Sequence, residues 1–411
     1  MQSDLDQLMQ EQDLDVLLVT GPAQHNPAMV YLTGGAHLTN ADLIKKRGAS
    51  PILFHTSMER DEAASTHLQT RNMDDYRFND LYKQTNGNVE EAYALLYQKM
   101  LTDCGVTAGR MVIFGKVDAG RAYAIFSGLQ KLMPDLSIQG QIGESILMRA
   151  MATKDDREVE RIRKMGHLTT RVVGNVADFL TTHKVKNEVL VQRDGSPLTI
   201  GDVKRRINLW LVESGADNPE GTIFAIGRDA GVPHSSGNAN DLIRLGQTIV
   251  FDIFPCEAGG GYFYDFTRTW CLGYAPEPVQ AVYADVLDVY QQVMSKLLVD
   301  THCKEYQVLT CDLFEARGHP TIKSNSQTQE GYVHGLGHGV GLNIHEFPRF
   351  SMTVTSDFDR LLPGSVVTVE PGLYYPERGM GVRLEDTVWV RPDGKMEILA
   401  EYPLDLVLPM R

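Results

Sequence analysis

The chain has 411 residues, enough for two domains, and its 43% hydrophobic and 22% charged content is that of a folded globular protein. A formal charge of −14, with no run of four or five basic residues, argues against a nucleic-acid partner, because phosphate contacts need clustered Lys and Arg. Apolar runs such as DVLLVT and TIVFDIF are too short to span a bilayer, so no membrane association is expected.

The chain opens on MQSDLDQLMQEQ, acidic and polar, the opposite of a secretory leader. Five cysteines (104, 256, 271, 303 and 311), an odd number without CxxC spacing, read as reduced thiols of a cytoplasmic protein. The first 150 residues alternate strands and helices. Runs at 16–19, 52–54 and 111–114 are short, apolar and bounded by Gly, Pro or charge, as buried strands are. Between the last two, NVEEAYALLYQKMLTDCG predicts a helix. Asn88 and Glu91 form a capping-box pattern, Ala92, Leu95, Leu96 and Met100 share a face, and Gly105 supplies the stop. His25, His37, His55 and His67 read as surface or capping histidines, and this α/β domain carries no chemical motif.

A boundary falls near residue 150, giving domains 1–152 and 153–411. ATKDDREVERIRKMGHLTTRVVGNVADFL opens with Thr153 as the expected N-cap. Val159, Ile162, Met165, Thr169, Val172 and Val176 then recur at three- and four-residue steps, which predicts a long amphipathic helix. A second long helix is expected from 278 to about 298.

Two stretches of the second domain echo each other: GQTIVFDIFPCEAGGGYFYDFTRTWCL from Gly246 and GSVVTVEPGLYYPERGMGVRLEDTVWV from Gly364. In each, an apolar strand follows the Gly and an acid sits six positions on, Asp252 or Glu370. After a Gly-rich turn the chain returns with a second acid, Asp265 or Glu385, and a threonine two residues later, Thr267 or Thr387. A separation of 118 residues is too long for a solenoid and suits two halves about a pseudo-twofold axis. A lone carboxylate ending an apolar strand is expensive to bury. Four brought together would repel unless one or two cations sat among them, and the alternative is four acids at frayed, hydrated strand ends.

Four carboxylates suit a hard divalent ion, and a histidine nitrogen would shift the preference toward a transition metal. HGLGHGVGLNIHE, residues 334–346, can supply one; it has three histidines and four glycines. It lacks the helical HExxH pattern, no choice of glycine satisfies GxGxxG, and no Walker A sequence occurs elsewhere. The glycine alternation implies extended or tightly turning backbone with clearance for a peptide to lie close. His234, in GRDAGVPHSSGN, is a further candidate or an ordinary loop histidine. Arg383 shares a strand face with Glu385, as a salt-bridge partner or as a group that orients a ligand.

DFTRT, HGLGHGVGLNIHE, EPGLY and GVRLEDT, in that order, resemble the pita-bread metallopeptidases, in particular the aminopeptidase P and prolidase branch. The resemblance covers roughly 153–411. It implies an α+β fold: a pita-bread catalytic domain with pseudo-twofold halves, preceded by a smaller α/β, creatinase-like domain. It implies two divalent metal ions held by Asp252, Asp265, His338, Glu370 and Glu385, with Asp265 and Glu385 bridging, Asp252 on one ion and His338 with Glu370 on the other. The nucleophile would be a hydroxide shared by metals about 3.5–4 Å apart, with Glu370 as general base. His234 and His345 would contact substrate or the oxyanion, His334 would line the proline subsite, and Arg383 would back the bridging carboxylates. One departure is local: Asp252-Ile253-Phe254-Pro255 stands where the family has Asp-x-Gly, and the turn to Asp265 is longer.

The activity implied is hydrolysis of the bond before proline in a short peptide, as an Xaa-Pro aminopeptidase or dipeptidase. An X-Pro bond needs a dedicated enzyme because its tertiary amide lacks an N–H and fixes φ. A homodimer is implied, and the oxygen-rich donor set favours Mn²⁺ over Co²⁺ or Zn²⁺. The competing readings are a pita-bread protein that binds a ligand without metal chemistry, and a metal-dependent hydrolase of a non-peptide substrate.

Overall fold

The apolar runs at 16–19, 52–54 and 111–114 become strands Val16–Gly21, Ile52–His55 and Gly109–Gly115 of one mixed sheet. This computed structural model describes residues 4–353 and 356–411, so the first three residues of the acidic opening stretch lie outside the described part. Two compact units emerge: Met1–Met151 with Gly259–Gly261, and Ala152–Ala258 with Tyr262–Arg411.

The first unit is built on a six-stranded sheet in the order Gln69–Asn72, Ile52–His55, Ala41–Lys46, Val16–Gly21, Gly109–Gly115, Leu136–Gln139. Val16–Gly21 runs antiparallel to Ala41–Lys46 and parallel to Gly109–Gly115. Covered on both faces, it is buried at all six positions, which is why it reads as an unbroken apolar run. Two of the strands that hydropathy misses have evident reasons. Gln69–Asn72 is a polar edge, and Ala41–Lys46 hides Lys45 behind an ion pair to Asp6 at 2.5 Å.

The Val89–Asp103 helix is capped by the Asn88 side chain, which accepts from the amides of Glu90 and Glu91 at 3.1 and 3.2 Å. Its buried face is Ala92, Leu96 and Met100, joined by Ala94, Tyr97 and Leu101, while Leu95 is only half-buried. His55 corrects the expectation of a surface or capping role: it is buried, with Nδ1 2.8 Å from the Thr56 carbonyl.

The second unit opens on the Asp156–Thr181 helix. Its N-cap is Asp155, in a capping box with Glu158, and not Thr153. Asp155 wins because the reciprocal bond needs an acid three residues on, whereas Thr153 is drawn into a bridge to Ser365. All six expected apolar positions, from Val159 to Val176, are buried. The other long helix is Glu277–Lys296, and no described helix is long and apolar enough to cross a membrane.

Each copy of the repeated hairpin founds a sheet. Thr248–Ile253 and Phe266–Leu272 pair antiparallel inside a four-stranded sheet, flanked by Thr222–Ile226 and Val407–Leu408. Val366–Val369 and Asp386–Val390 pair antiparallel inside a five-stranded one. The sheets join at one antiparallel bridge, Thr267 to Glu385. A continuous apolar core packs Val286, Val289 and Val293 of the Glu277–Lys296 helix with Val367, Val382 and Val388. The copies differ between their acids. The second inserts a small hairpin, Gly372–Tyr375 against Met380–Arg383; the first pairs Cys256–Glu257 with Ala216–Asp217. The long turn after Asp252 is thus an ordered arm.

Candidate metal centre

Every acid of the repeat sits at or beside a strand end. Asp252 is the penultimate residue of Thr248–Ile253, and Asp265 immediately precedes Phe266–Leu272. Glu370 follows Val366–Val369, and Glu385 lies between Met380–Arg383 and Asp386–Val390. The threonines of the echo lock the halves reciprocally. Thr267 Oγ1 donates to Glu385 Oε2 at 2.7 Å, and Thr387 Oγ1 donates to the Asp265 carbonyl at 2.8 Å.

Asp265, His338 and Glu385 each offer one ligand atom, all within 4.8 Å of one another. His338 Nε2 lies 3.6 Å from Asp265 Oδ2 and 3.5 Å from Glu370 Oε1. On its other side Nδ1 is 3.0 Å from the Gly339 carbonyl. A carbonyl only accepts, so Nδ1 carries the proton and the Nε2 lone pair points at the carboxylates, the tautomer a metal ligand needs. Thr368 sets both neighbours: its Oγ1 accepts from the His338 amide at 3.0 Å and lies 3.4 Å from Glu370 Oε1.

Asp252 completes the acidic set differently. Its Oδ2 receives Arg383 Nη2 at 2.5 Å, while Oδ1 is buried with no hydrogen-bond partner among the described residues. A buried orphan oxygen beside three further carboxylates fits a cation and fits little else. Without one, the carboxylates are pushed toward protonation. Burial raises Asp265 and Glu385 well above the ordinary range, with mutual repulsion adding to it, and burial lifts Glu370 to about 8. Burial also pushes His338 down to about 3, so it stays neutral, as a ligand must.

The remaining candidates surround this cluster unequally. His334 is held at both nitrogens, Nδ1 2.7 Å from the Gly335 carbonyl and Nε2 2.8 Å from Tyr374 Oη, and its ring lies against those of Tyr332 and Tyr374. Burial pushes it to about 3 as well. His345 is exposed, with its ring 4.3 Å from that of His338 and its nitrogens without a hydrogen bond among the described residues. His234 is exposed on its loop. The loop is tied in through Pro233, whose carbonyl accepts from Arg383 Nη1 at 3.3 Å.

Two expectations are corrected. Arg383 does not pair with the acids assigned as bridging: its ion-pair partner is Asp252, while Nε donates to Thr267 and Nη1 to Tyr374. Glu385 and Asp265 are already occupied by Thr267 and the Phe266 amide. The glycines of HGLGHGVGLNIHE also do not clear space for a substrate. A Cβ at Gly337 would lie 2.1 Å from the Thr368 carbonyl, at Gly339 2.0 Å from the Phe347 carbonyl, and at Gly341 2.3 Å from Glu346 Oε2. They let the protein's own strands close on His338.

Sequence reasoning missed Thr368, Tyr374 and the buried pair Lys154–Glu346, joined at 2.8 Å with both side chains at 1% exposure or less. Thr368 had a signal, since it alternates onto the face of Glu370. Lys154 had none, because its partner lies 192 residues away.

The model of metallopeptidase family M24 matches residues 160–392, more than half of the chain. The chain belongs to metallopeptidase family M24. Among curated M24-like relatives, the Xaa-Pro dipeptidase of Pyrococcus furiosus is 30% identical over 249 residues, 60% of this chain and 62% of that protein. The Xaa-Pro dipeptidase of Pyrococcus horikoshii is 28% identical over 247 residues, again 60% and 62%. The match therefore spans less than two thirds of those relatives' length. Solved structures share the fold along nearly the whole chain. A dipeptidase from P. horikoshii superposes with a TM-score of 0.75 at 21% identity, covering 98% of this chain and 99% of that one. An X-Pro aminopeptidase from Thermotoga maritima gives 0.72 at 19%, covering 96% and 97%. The pita-bread architecture of the M24 family is thus the fold of this chain, and its pseudo-twofold is the hairpin repeat.

Proposed function

We propose that the chain is a metal-dependent peptidase that hydrolyses the bond before proline in short peptides, with two divalent ions, Mn²⁺ ahead of Co²⁺ or Zn²⁺, held by Asp252, Asp265, His338, Glu370 and Glu385. The observation that carries this reading is the cluster of Asp265, His338 and Glu385 within 4.8 Å, beside the orphan Oδ1 of Asp252. Bound ions would supply Lewis acidity toward the scissile carbonyl and an acidified water. The chain's residues do the rest. Glu370 Oε1 takes the proton from the attacking water and passes it to the leaving nitrogen. His345 and His234, exposed and in the case of His345 unbonded among the described residues, donate to the developing oxyanion. His334 lines the proline subsite together with the rings packed on it, its nitrogens being engaged elsewhere. Arg383 holds Asp252 in place through its ion pair.

The chain acts as a cytoplasmic homodimer. All five cysteines are free thiols, four of them buried, which supports a reducing compartment; sedimentation checks the dimer. The deciding assay strips the metal, restores Mn²⁺, Co²⁺ or Zn²⁺, and follows cleavage of Ala-Pro, Ala-Pro-Ala and Ala-Ala-Ala. Metal-dependent release of alanine from Ala-Pro alone makes this a dipeptidase, and from Ala-Pro-Ala as well an aminopeptidase. No metal-dependent release from any of them refutes the proposal.

A further inference from the structure

The first unit holds a cavity of about 710 Å³ that has no part in the chemistry above. It lies at the carboxyl ends of three like-directed strands: Thr20 near the end of Val16–Gly21, Thr56 just after Ile52–His55 and Val117 after Gly109–Gly115. Crevices at such ends are where open α/β sheets take small ligands, because loops diverge there.

Asp42 lines this cavity and is 6% exposed. Its Oδ1 accepts from Tyr97 Oη at 2.8 Å, and that phenol is 3.1 Å from Thr20 Oγ1. Among the described residues Asp42 is in no ion pair, and the cation whose charge reaches it is Arg121, on the same cavity wall. A buried carboxylate with hydroxyl donors and no cation in direct contact is an expensive arrangement, relieved when a proton or a bound cation reaches it. Burial accordingly raises its pKa. The same cavity wall carries cationic side chains that make no ion pair among the described residues. Arg121 lies over the Tyr93 ring at 4.4 Å and pairs with no carboxylate among the described residues. The exposed Lys83 ammonium makes neither a hydrogen bond nor an ion pair among them.

Among its charged lining residues, the cavity thus presents a buried carboxylate, Asp42, and two cationic side chains, Arg121 and Lys83, none of them in an ion pair among the described residues, an arrangement that can take a molecule with an ammonium and a carboxylate. We propose that it binds a small zwitterion of the α-amino-acid or short-peptide class, the ammonium on Asp42 and the carboxylate on Arg121 and Lys83. Tyr93 and Leu96 supply apolar wall for a side chain. The site is separate from the candidate metal centre and does not rest on the peptidase reading.

The test is calorimetric titration of the full, metal-stripped chain carrying Asp265→Asn, which disables the second unit's site. L-alanine, L-proline and Ala-Pro are the probes, with N-acetyl-alanine and alanine amide as blocked controls. The expected result is saturable binding of at least one zwitterion, one per chain, with both blocked forms failing to bind. Free amino acid against dipeptide then distinguishes the two sources. Asp42→Asn should weaken binding roughly tenfold or more, as loss of a charge-assisted contact does. Lys83→Ala, at an exposed position that tolerates truncation, should weaken it too and decides the matter if the Asp42 variant fails to fold. No saturable binding by any zwitterion, equal binding of the blocked forms, or affinity unmoved by Lys83→Ala would each overturn the proposal.

Discussion

Tyr374 joins two groups that the sequence treats as unrelated. Its hydroxyl receives Arg383 Nη1 at 2.8 Å and faces His334 Nε2 at 2.8 Å, so a polar chain runs from Asp252 through Arg383 and Tyr374 to His334. Tyr374→Phe keeps the ring but leaves a buried guanidinium N–H and a buried imidazole nitrogen each one partner short. The expected loss is about 1–3 kcal/mol of stability, with metal affinity retained. Denaturant unfolding beside metal titration checks both, and an unchanged midpoint would show that water replaces the hydroxyl at no cost. Lys154 is a sharper case. Lys154→Met strands Glu346 as an unpaired charge at 0% side-chain exposure, and removing one partner of a buried pair costs about 3–5 kcal/mol. Glu346 also accepts from the Asn343 amide at 2.9 Å, so the loop after His338 should loosen with it. Faster amide exchange over 339–346 is the expected sign; exchange confined to the amino end of the Asp156–Thr181 helix would disprove the link.

At the scale of elements, the glycine-rich segment and the repeated hairpin carry the site. The glycine segment is tight because strands Glu346–Arg349 and Val366–Val369 flank His338–Gly339 on both sides. Gly339→Ala should be among the most damaging small substitutions, since its Cβ would meet the Phe347 carbonyl at 2.0 Å and backbone cannot step aside as a side chain can. Overpacking of about 1–3 kcal/mol or more is expected, seen as a lowered melting temperature whether or not metal is present. A wild-type melt would mean the two strands part easily. The four acids stood out because a repeated strand-acid-turn-acid-threonine order survives without coordinates, whereas the resemblance alone separated His338 from its two neighbouring histidines. The partner of Arg383 was not legible: strand alternation put it beside Glu385, yet the side chain crosses to the other copy and reaches Asp252, 131 residues away.

The whole molecule shows the cost of gathering these charges as a dependence on pH. Asp265 and Glu385 are raised and Glu370 stands near 8, so the metal-free fold holds protons that the unfolded chain has released above about pH 4. A raised carboxylate contributes stability fully below its unfolded value and loses it as pH climbs through the folded one. His334 and His338, lowered to about 3, act in the opposite sense, but only below the unfolded imidazole value of about 6.5. Between about pH 6.5 and about pH 8 the carboxylates therefore dominate, titrating as one coupled group. The chelated protein should melt at a lower temperature at the upper end of that window, and a divalent ion should remove the loss by binding the ionised form. A flat profile under chelation would mean that the four acids are hydrated and apart.

The sequence by itself determined the elements and marked the four repeated acids. Apolar periodicity placed the helices that begin at Asp156 and Glu277, and the internal echo marked Asp252, Asp265, Glu370 and Glu385, because both are local patterns written along the chain. Only the tertiary structure decided the pairings. Asp252 with Arg383, Thr267 with Glu385, Thr387 with Asp265 and Lys154 with Glu346 all join residues more than 100 positions apart. Whether a buried charge finds its counter-charge depends on which strand ends converge, and convergence is a property of the packed halves, not of spacing along the chain.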